Sequence, residues 1–89
     1  MKIQYTNQFK KDYKRIQKQG KDLEKLRSII EKLSSNQLLE PQYRDHPLIG
    51  NWRGYRDCHI ESDWILIYKI TTDTLILART GSHSDLFKN

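Results

Sequence analysis

The chain has 89 residues, 36% of them apolar and 30% charged, with a formal net charge of +5. That length allows one domain, residues 1–89, burying only about 60–65% of the surface its unfolded form exposes. The longest apolar run, Trp64 to Tyr68, falls far short of the roughly 20 residues of a membrane span, and a single cysteine, Cys58, excludes an internal disulfide framework.

Lys2 to Tyr5 alternates polar and apolar types and reads as a short first strand. Thr6 or Asn7 can cap a helix from Gln8 to Gln19, in which Phe9, Tyr13 and Ile16 form one stripe and Lys10, Lys14 and Lys18 another. Gly20 ends it by admitting the left-handed conformation. A second helix from about Asp22 to Ser34 presents Leu23, Leu26, Ile29, Ile30 and Leu33 as its buried face, and so short a link makes the two antiparallel. Asn36 to Pro47 reads as irregular.

The period then changes. Trp52 to Ile60 alternates as a strand, with Arg53, Tyr55, Asp57 and His59 on one face and Arg56, Cys58 and Ile60 on the other. Trp64 to Ile70 is almost continuously apolar, as in a central strand covered on both faces, and Thr74 to Thr80 forms the last strand beyond a Thr71-Thr72-Asp73 turn. A short tail ends in Leu86-Phe87. The order β-α-α-β-β-β describes an α+β domain, its helical hairpin packed on one face of a mostly antiparallel sheet. Met1 to Tyr5 shows nothing of a signal peptide, so a cytoplasmic protein without membrane contact is expected.

Charge divides unevenly. Residues 1–44 carry eleven Lys/Arg against five Asp/Glu, while residues 45–89 carry five against six and all three histidines. The basic half suits a polyanionic partner, a nucleic acid or an acidic protein segment; its Lys10, Lys14 and Lys18 stripe can equally be a solvated helix face. In the other half, His59 and Asp63 flank a turn expected at Ile60-Glu61-Ser62, His46 precedes the first of these strands, and His83 follows the last. Their convergence at one end of the sheet would serve either of two chemistries. Three histidines and an aspartate match a metal-ligand set, but no H-x-H or H-x-x-x-H pair is present. Imidazoles that titrate near neutral pH, oriented by a carboxylate, also suit metal-free acid–base work, with Arg53, Arg56 and Arg79 to stabilise charge on a phosphate.

Asp45-His46-Pro47-Leu48, Gly50, Trp52-Arg53-Gly54-Tyr55-Arg56-Asp57, His59 and Asp63-Trp64-Ile65-Leu66-Ile67-Tyr68 together resemble the YafQ type of bacterial toxin, in the RelE/ParE superfamily. Arg79-Thr80-Gly81-Ser82-His83 through Leu86-Phe87 fits the same pattern, which is dense over residues 45–87. Before residue 45 only element order and Lys-rich helices match, and Lys88 and Asn89 run slightly past the family's usual end.

The resemblance implies a RelE-like fold and an endoribonuclease toxin that cleaves messenger RNA on the ribosome. It also implies a catalytic set at His46, His59, Asp63 and His83, an arginine at Arg79 and a C-terminal aromatic at Phe87. Trp64 matches as well, although strand parity turns it away from Asp63 and toward a structural role. The implied partners are a DinJ/RelB-like antitoxin, the ribosome and its mRNA, with the toxin alone a monomer and no cofactor.

The expected chemistry is attack by a 2′-hydroxyl oxygen on the adjacent phosphorus. His83 is the candidate acid, Asp63 or His46 the candidate base, and His59 orients or stabilises the phosphate. Three alternatives share the fold or the residues: a ParE-like gyrase-inhibiting toxin, a nonenzymatic RNA-binding module and a metal-dependent hydrolase.

Overall fold

The computed structural model describes residues 1–87, leaving Lys88 and Asn89 outside. Its elements are β1 (Lys2–Tyr5), α1 (Asn7–Lys18), α2 (Leu23–Ser34), β2 (His46–Pro47), β3 (Arg56–Glu61), β4 (Trp64–Ile70), β5 (Thr74–Gly81) and α3 (His83–Leu86). The strands form one sheet in the order β1-β5-β4-β3-β2, with β1 parallel to β5 and every other pair antiparallel.

Local chemistry accounts for the helical hairpin. Thr6 Oγ1 accepts from Phe9 N at 3.0 Å, capping α1, and its hydroxyl donates to Ala78 O at 2.7 Å, tying the helix start to β5. At the other end Gly20 (φ +75) lets its own N–H reach Gln17 O and the Lys21 N–H reach Ile16 O, so the orphan carbonyls of the last turn are satisfied. Asp22 caps α2 through Glu24 N. Phe9, Ile16, Leu26, Ile29 and Leu33 then pack on Cys58, Trp64, Leu66, Tyr68, Leu75 and Leu77 from the sheet.

A smaller apolar layer lies on the opposite face, where Ile65, Ile67, Ala78 and Leu86 pack with Leu48, Trp52 and Tyr55. Residues Trp64 through Tyr68 are therefore covered on both faces, as their continuous apolar run implies.

The strand before it begins later than expected. Gly50–Trp52 is a 3₁₀ turn, Gly54 takes φ +92, and Tyr55 N returns to Trp52 O, so the extended segment starts at Arg56 and not at Trp52. The Trp52 and Tyr55 rings meet edge to face 5.3 Å apart, an arrangement an extended strand would forbid. The β3–β4 turn is Ser62–Asp63 and not Ile60-Glu61-Ser62, because β3 bulges at Ile60 and runs on to Glu61. The tail after Gly81 is helical: Ser82 caps α3 in a capping box with Asp85.

A second bulge lies in β5. Ile67 pairs with Arg79 but Tyr68 pairs with Leu77, so Ala78 is the extra residue. Leu75 and Leu77 face the hairpin. Without the bulge Arg79 would follow them; with it, Thr80 turns to the hairpin side and Arg79 to the other.

Candidate active site

His46, His59 and His83 meet on the sheet face opposite the helical hairpin. The His46 and His59 rings lie 6.5 Å apart, centroid to centroid, and His59 and His83 5.3 Å apart. Each arrives by a different route. β2 places His46 directly across from Asp57. The approach to β2 is pinned by Asp45, which accepts from Arg56 Nε at 2.7 Å and from the Tyr68 hydroxyl. His59 stands on β3 above its partner Ile65, on the face left by Cys58 and Ile60. His83 is the first residue of α3, held where the chain leaves β5.

Two carboxylates bracket the row. Asp63, in the turn, accepts from the backbone N and from the Nδ1 side of His83, both at 2.9 Å to the same oxygen. Those two bonds from His83 hold its carboxyl below the ordinary aspartate value. A proton on Nδ1 leaves Nε2 as the ring nitrogen not engaged by Asp63. At the other end Asp57 is 3% exposed, with Oδ1 2.9 Å from His46 Nε2. Burial pushes the Asp57 carboxyl up, against the opposing pull of His46 and His59. The contact is close but poorly aligned, so Asp57 Oδ1 is buried without a well-directed donor, and His59 Nδ1 is likewise buried and unpartnered. Stable cores rarely leave such atoms unsatisfied; reactive sites do.

His46 Nδ1 lies 3.1 Å from Pro47 O. The Pro47 carbonyl can only accept, so in this contact Nδ1 carries the proton, and Nε2 is the nitrogen beside Asp57. An orphaned buried N–H is costlier than an orphaned lone pair, which favours the His59 proton on Nε2, as a donor. His46, Asp57 and His59 each offer a ligand atom within 4.8 Å of the others, a nitrogen–oxygen set suited to copper or zinc.

The other expected residues divide. Phe87 caps the end of α3, 37% exposed, its ring 6.2 Å from that of His83. Arg79 stands on the imidazole side of β5, and its guanidinium reaches Asp12 of α1. Arg56 is not with the imidazoles: it projects with Cys58 to the opposite side of β3 and is engaged by Asp45. Arg53 is exposed at the end of the 3₁₀ turn, before β3 begins. Trp64 is fully buried among hairpin residues, its Nε1 donating to Thr80 Oγ1 at 2.9 Å, which is the structural role that parity assigned it. Cys58 is buried, and burial pushes its thiol pKa up, so it is not a nucleophile. Sequence reasoning missed Asp57, although its place two residues before His59 put both on one strand face.

The sequence model of the family described as the bacterial toxin of type II toxin-antitoxin system, YafQ, matches residues 1–88. The mRNA interferase toxin YafQ of Escherichia coli K12 is 51% identical over 86 residues, covering 96% of this chain and 94% of its own. YafQ in the E. coli DinJ–YafQ complex superposes with a TM-score of 0.89 at 50% identity, over 96% of each chain. A copper-bound mutant toxin from Helicobacter pylori superposes at 0.93 with 40% identity, over 98% of this chain and 99% of its own. With the family's sequence model matched over residues 1–88 and half its residues identical to a curated member over nearly its whole length, the chain belongs to the YafQ family of type II toxin-antitoxin toxins.

Proposed function

We propose that this toxin is an endoribonuclease that cuts messenger RNA on the ribosome, by acid–base chemistry through the 2′-hydroxyl. One observation carries the reading: three imidazoles in a row, the outer two each 2.9 Å from a carboxylate. His46, beside Asp57, takes the 2′-hydroxyl proton on its unprotonated ring nitrogen. The 2′ oxygen attacks the adjacent phosphorus, and the bond to the 5′ oxygen breaks. His83, oriented by Asp63, returns a proton to that oxygen from Nε2. His59, between them, donates to the phosphate. The products are a cyclic 2′,3′-phosphate and a 5′-hydroxyl, and no outside nucleophile is required because the attacking group already neighbours its target.

Asp63 is thereby an orienting group, not the base, since His83 already occupies one of its oxygens twice. Phe87 offers a ring for stacking a base of the codon. The exposed Lys10, Lys14 and Lys18 stripe supplies salt-sensitive attraction to ribosomal RNA. Such a toxin works in the cytoplasm, as a monomer. A DinJ-like antitoxin is its partner by likeness to the E. coli complex, and an acidic segment suits a chain of net charge +5.

Mapping mRNA 5′ ends after incubation with translating ribosomes tests this. Cuts in frame with codons, lost in a folded His83→Ala variant, are expected. Intact message with the wild-type protein, or stabilised gyrase–DNA cleavage in its place, rejects the reading.

A further inference from the structure

Asp12 is the one acidic residue on the inner side of α1, and it is fully buried. Four donors surround its carboxylate. Oδ1 accepts from Arg15 Nη2 and Arg79 Nη2, each at 3.0 Å; Oδ2 accepts from Arg79 Nε at 2.8 Å and from Thr80 N at 3.1 Å. Two carboxylate oxygens present about four lone-pair sites, and here all of them are used. The carboxylate occupies the open edge of β5 just past the end of β1, which pairs only as far as Leu77.

We infer that Asp12 is a positioning residue for RNA cleavage, acting through Arg79; the inference rests on the function proposed above. Arg79 stands in register with Ile67 and, one strand further, Asp57. The Asp12 pairing holds the guanidinium at the β5 edge of the imidazole face, the edge from which α3 and His83 depart. Asp12 takes the Nε and Nη2 edge of the guanidinium, the side-on pairing. Nη1 has no hydrogen-bond partner among the described residues, so the end-on fork of Nη1 and Nη2 stays available to a phosphate.

The ion pair fixes that fork in space and keeps its charge: hydrogen bonding to Asp12 raises the guanidinium pKa above its ordinary value. A freely rotating arginine would have to be ordered in the transition state; this one is ordered beforehand. The β5 bulge completes the device, because without it Arg79 would face the hairpin core.

The test is single-turnover cleavage of ribosome-bound mRNA by Asp12→Asn, Arg79→Ala and the double variant, beside His83→Ala. Asp12→Asn keeps the shape but sets an amide N–H against Arg79. The expected result is a loss of about 10²-fold in the cleavage rate with KM unmoved, and a double variant no slower than Arg79→Ala alone. Independent, multiplying losses, or full cleavage per folded Asp12→Asn molecule, would reduce Asp12 to a structural staple and overturn the inference. If Asp12→Asn does not fold, Arg79→Lys serves: it keeps the ion pair but lacks the spare fork. It is expected to lose as much rate as Arg79→Ala, and full cleavage by it overturns the inference. Loss of activity in His83→Ala with Asp12→Asn intact refutes this inference alone; a wild-type protein that leaves message intact refutes the parent reading.

Discussion

A single oxygen of Asp63 accepts two hydrogen bonds from His83, one from the backbone and one from Nδ1, both at 2.9 Å. The backbone bond fixes where α3 begins, and the ring bond fixes which nitrogen is left for the proposed proton transfer. Asp63→Asn keeps an acceptor, but its amide can no longer hold the imidazolium as a carboxylate does. Cleavage is expected to fall about 10²-fold, the usual scale for losing properly oriented acid assistance. The Asp63 carboxyl lies below its unfolded value, so its pairing operates above the unfolded pKa and is lost only as pH falls through the folded one. The neutral-pH loss in Asp63→Asn should therefore shrink toward zero in strong acid, which a pH–rate comparison of the two proteins would read.

Trp64 separates stability from catalysis. Its indole is buried on the hairpin side and bonds Thr80, away from the imidazoles. Trp64→Phe is expected to cost about 2 kcal/mol, from the lost hydrogen bond and the gap left by the smaller ring. Thermal unfolding should fall by about 10 °C in a domain of this size, while cleavage per folded molecule is retained.

That division was open to sequence reasoning because strand parity is a local rule. Cys58 and His59 had to face opposite ways, and so did Asp63 and Trp64. The run from Trp64 to Tyr68 could only be a central strand. Parity does not carry past a bulge: the extra residue Ala78 puts Arg79 on the imidazole side, and the one at Ile60 moves the turn to Ser62–Asp63. No side-chain pattern announces a bulge. Asp12 is a different case, since it lies three residues after Phe9 and four before Ile16, inside the apolar stripe of α1. A lone acid there demands buried cations, but naming Arg79 as one of them needed the tertiary structure.

Gly81 controls the entry to α3. A Cβ at this position would stand 2.8 Å from Arg15 Nη2 and 3.2 Å from both Cβ and Oδ2 of Asp85. Arg15 cannot simply swing away, because it bonds Asp12 and Thr80 O. The strain therefore falls on the first turn of α3, which carries His83. Gly81→Ala should lose about 10²-fold in cleavage through misplacement of that ring. A shift in the His83 imidazole resonances, with the sheet resonances unmoved, would locate the damage.

Metal should inhibit and not assist. A copper or zinc ion seated on His46, Asp57 and His59 would tie up the two imidazoles proposed as base and phosphate donor. Cleavage is expected to survive exhaustive chelation unchanged and to fall on addition of copper, with recovery after chelator. His59→Gln should weaken copper binding measured by calorimetry. Activity that disappears in chelator and returns with metal would instead make the site a metal-dependent nuclease.

Asp57 sets stability against function. Its carboxylate is buried beside an imidazole half exposed to solvent, a partner too well hydrated to offset the burial. Burial raises its pKa, so the folded protein binds this proton more tightly than the unfolded chain does. Below the unfolded value, about 3.9, both states are protonated and the ionised group carries no penalty; above the folded value the penalty is complete. Asp57→Asn should thus melt higher at neutral pH, by about 4 °C if the relief is ~1 kcal/mol, with the advantage vanishing as pH falls through the folded pKa. The same change removes the group that orients His46, so cleavage should collapse as stability rises. A variant that melts lower at neutral pH would show that the carboxylate is held for structure and not for chemistry.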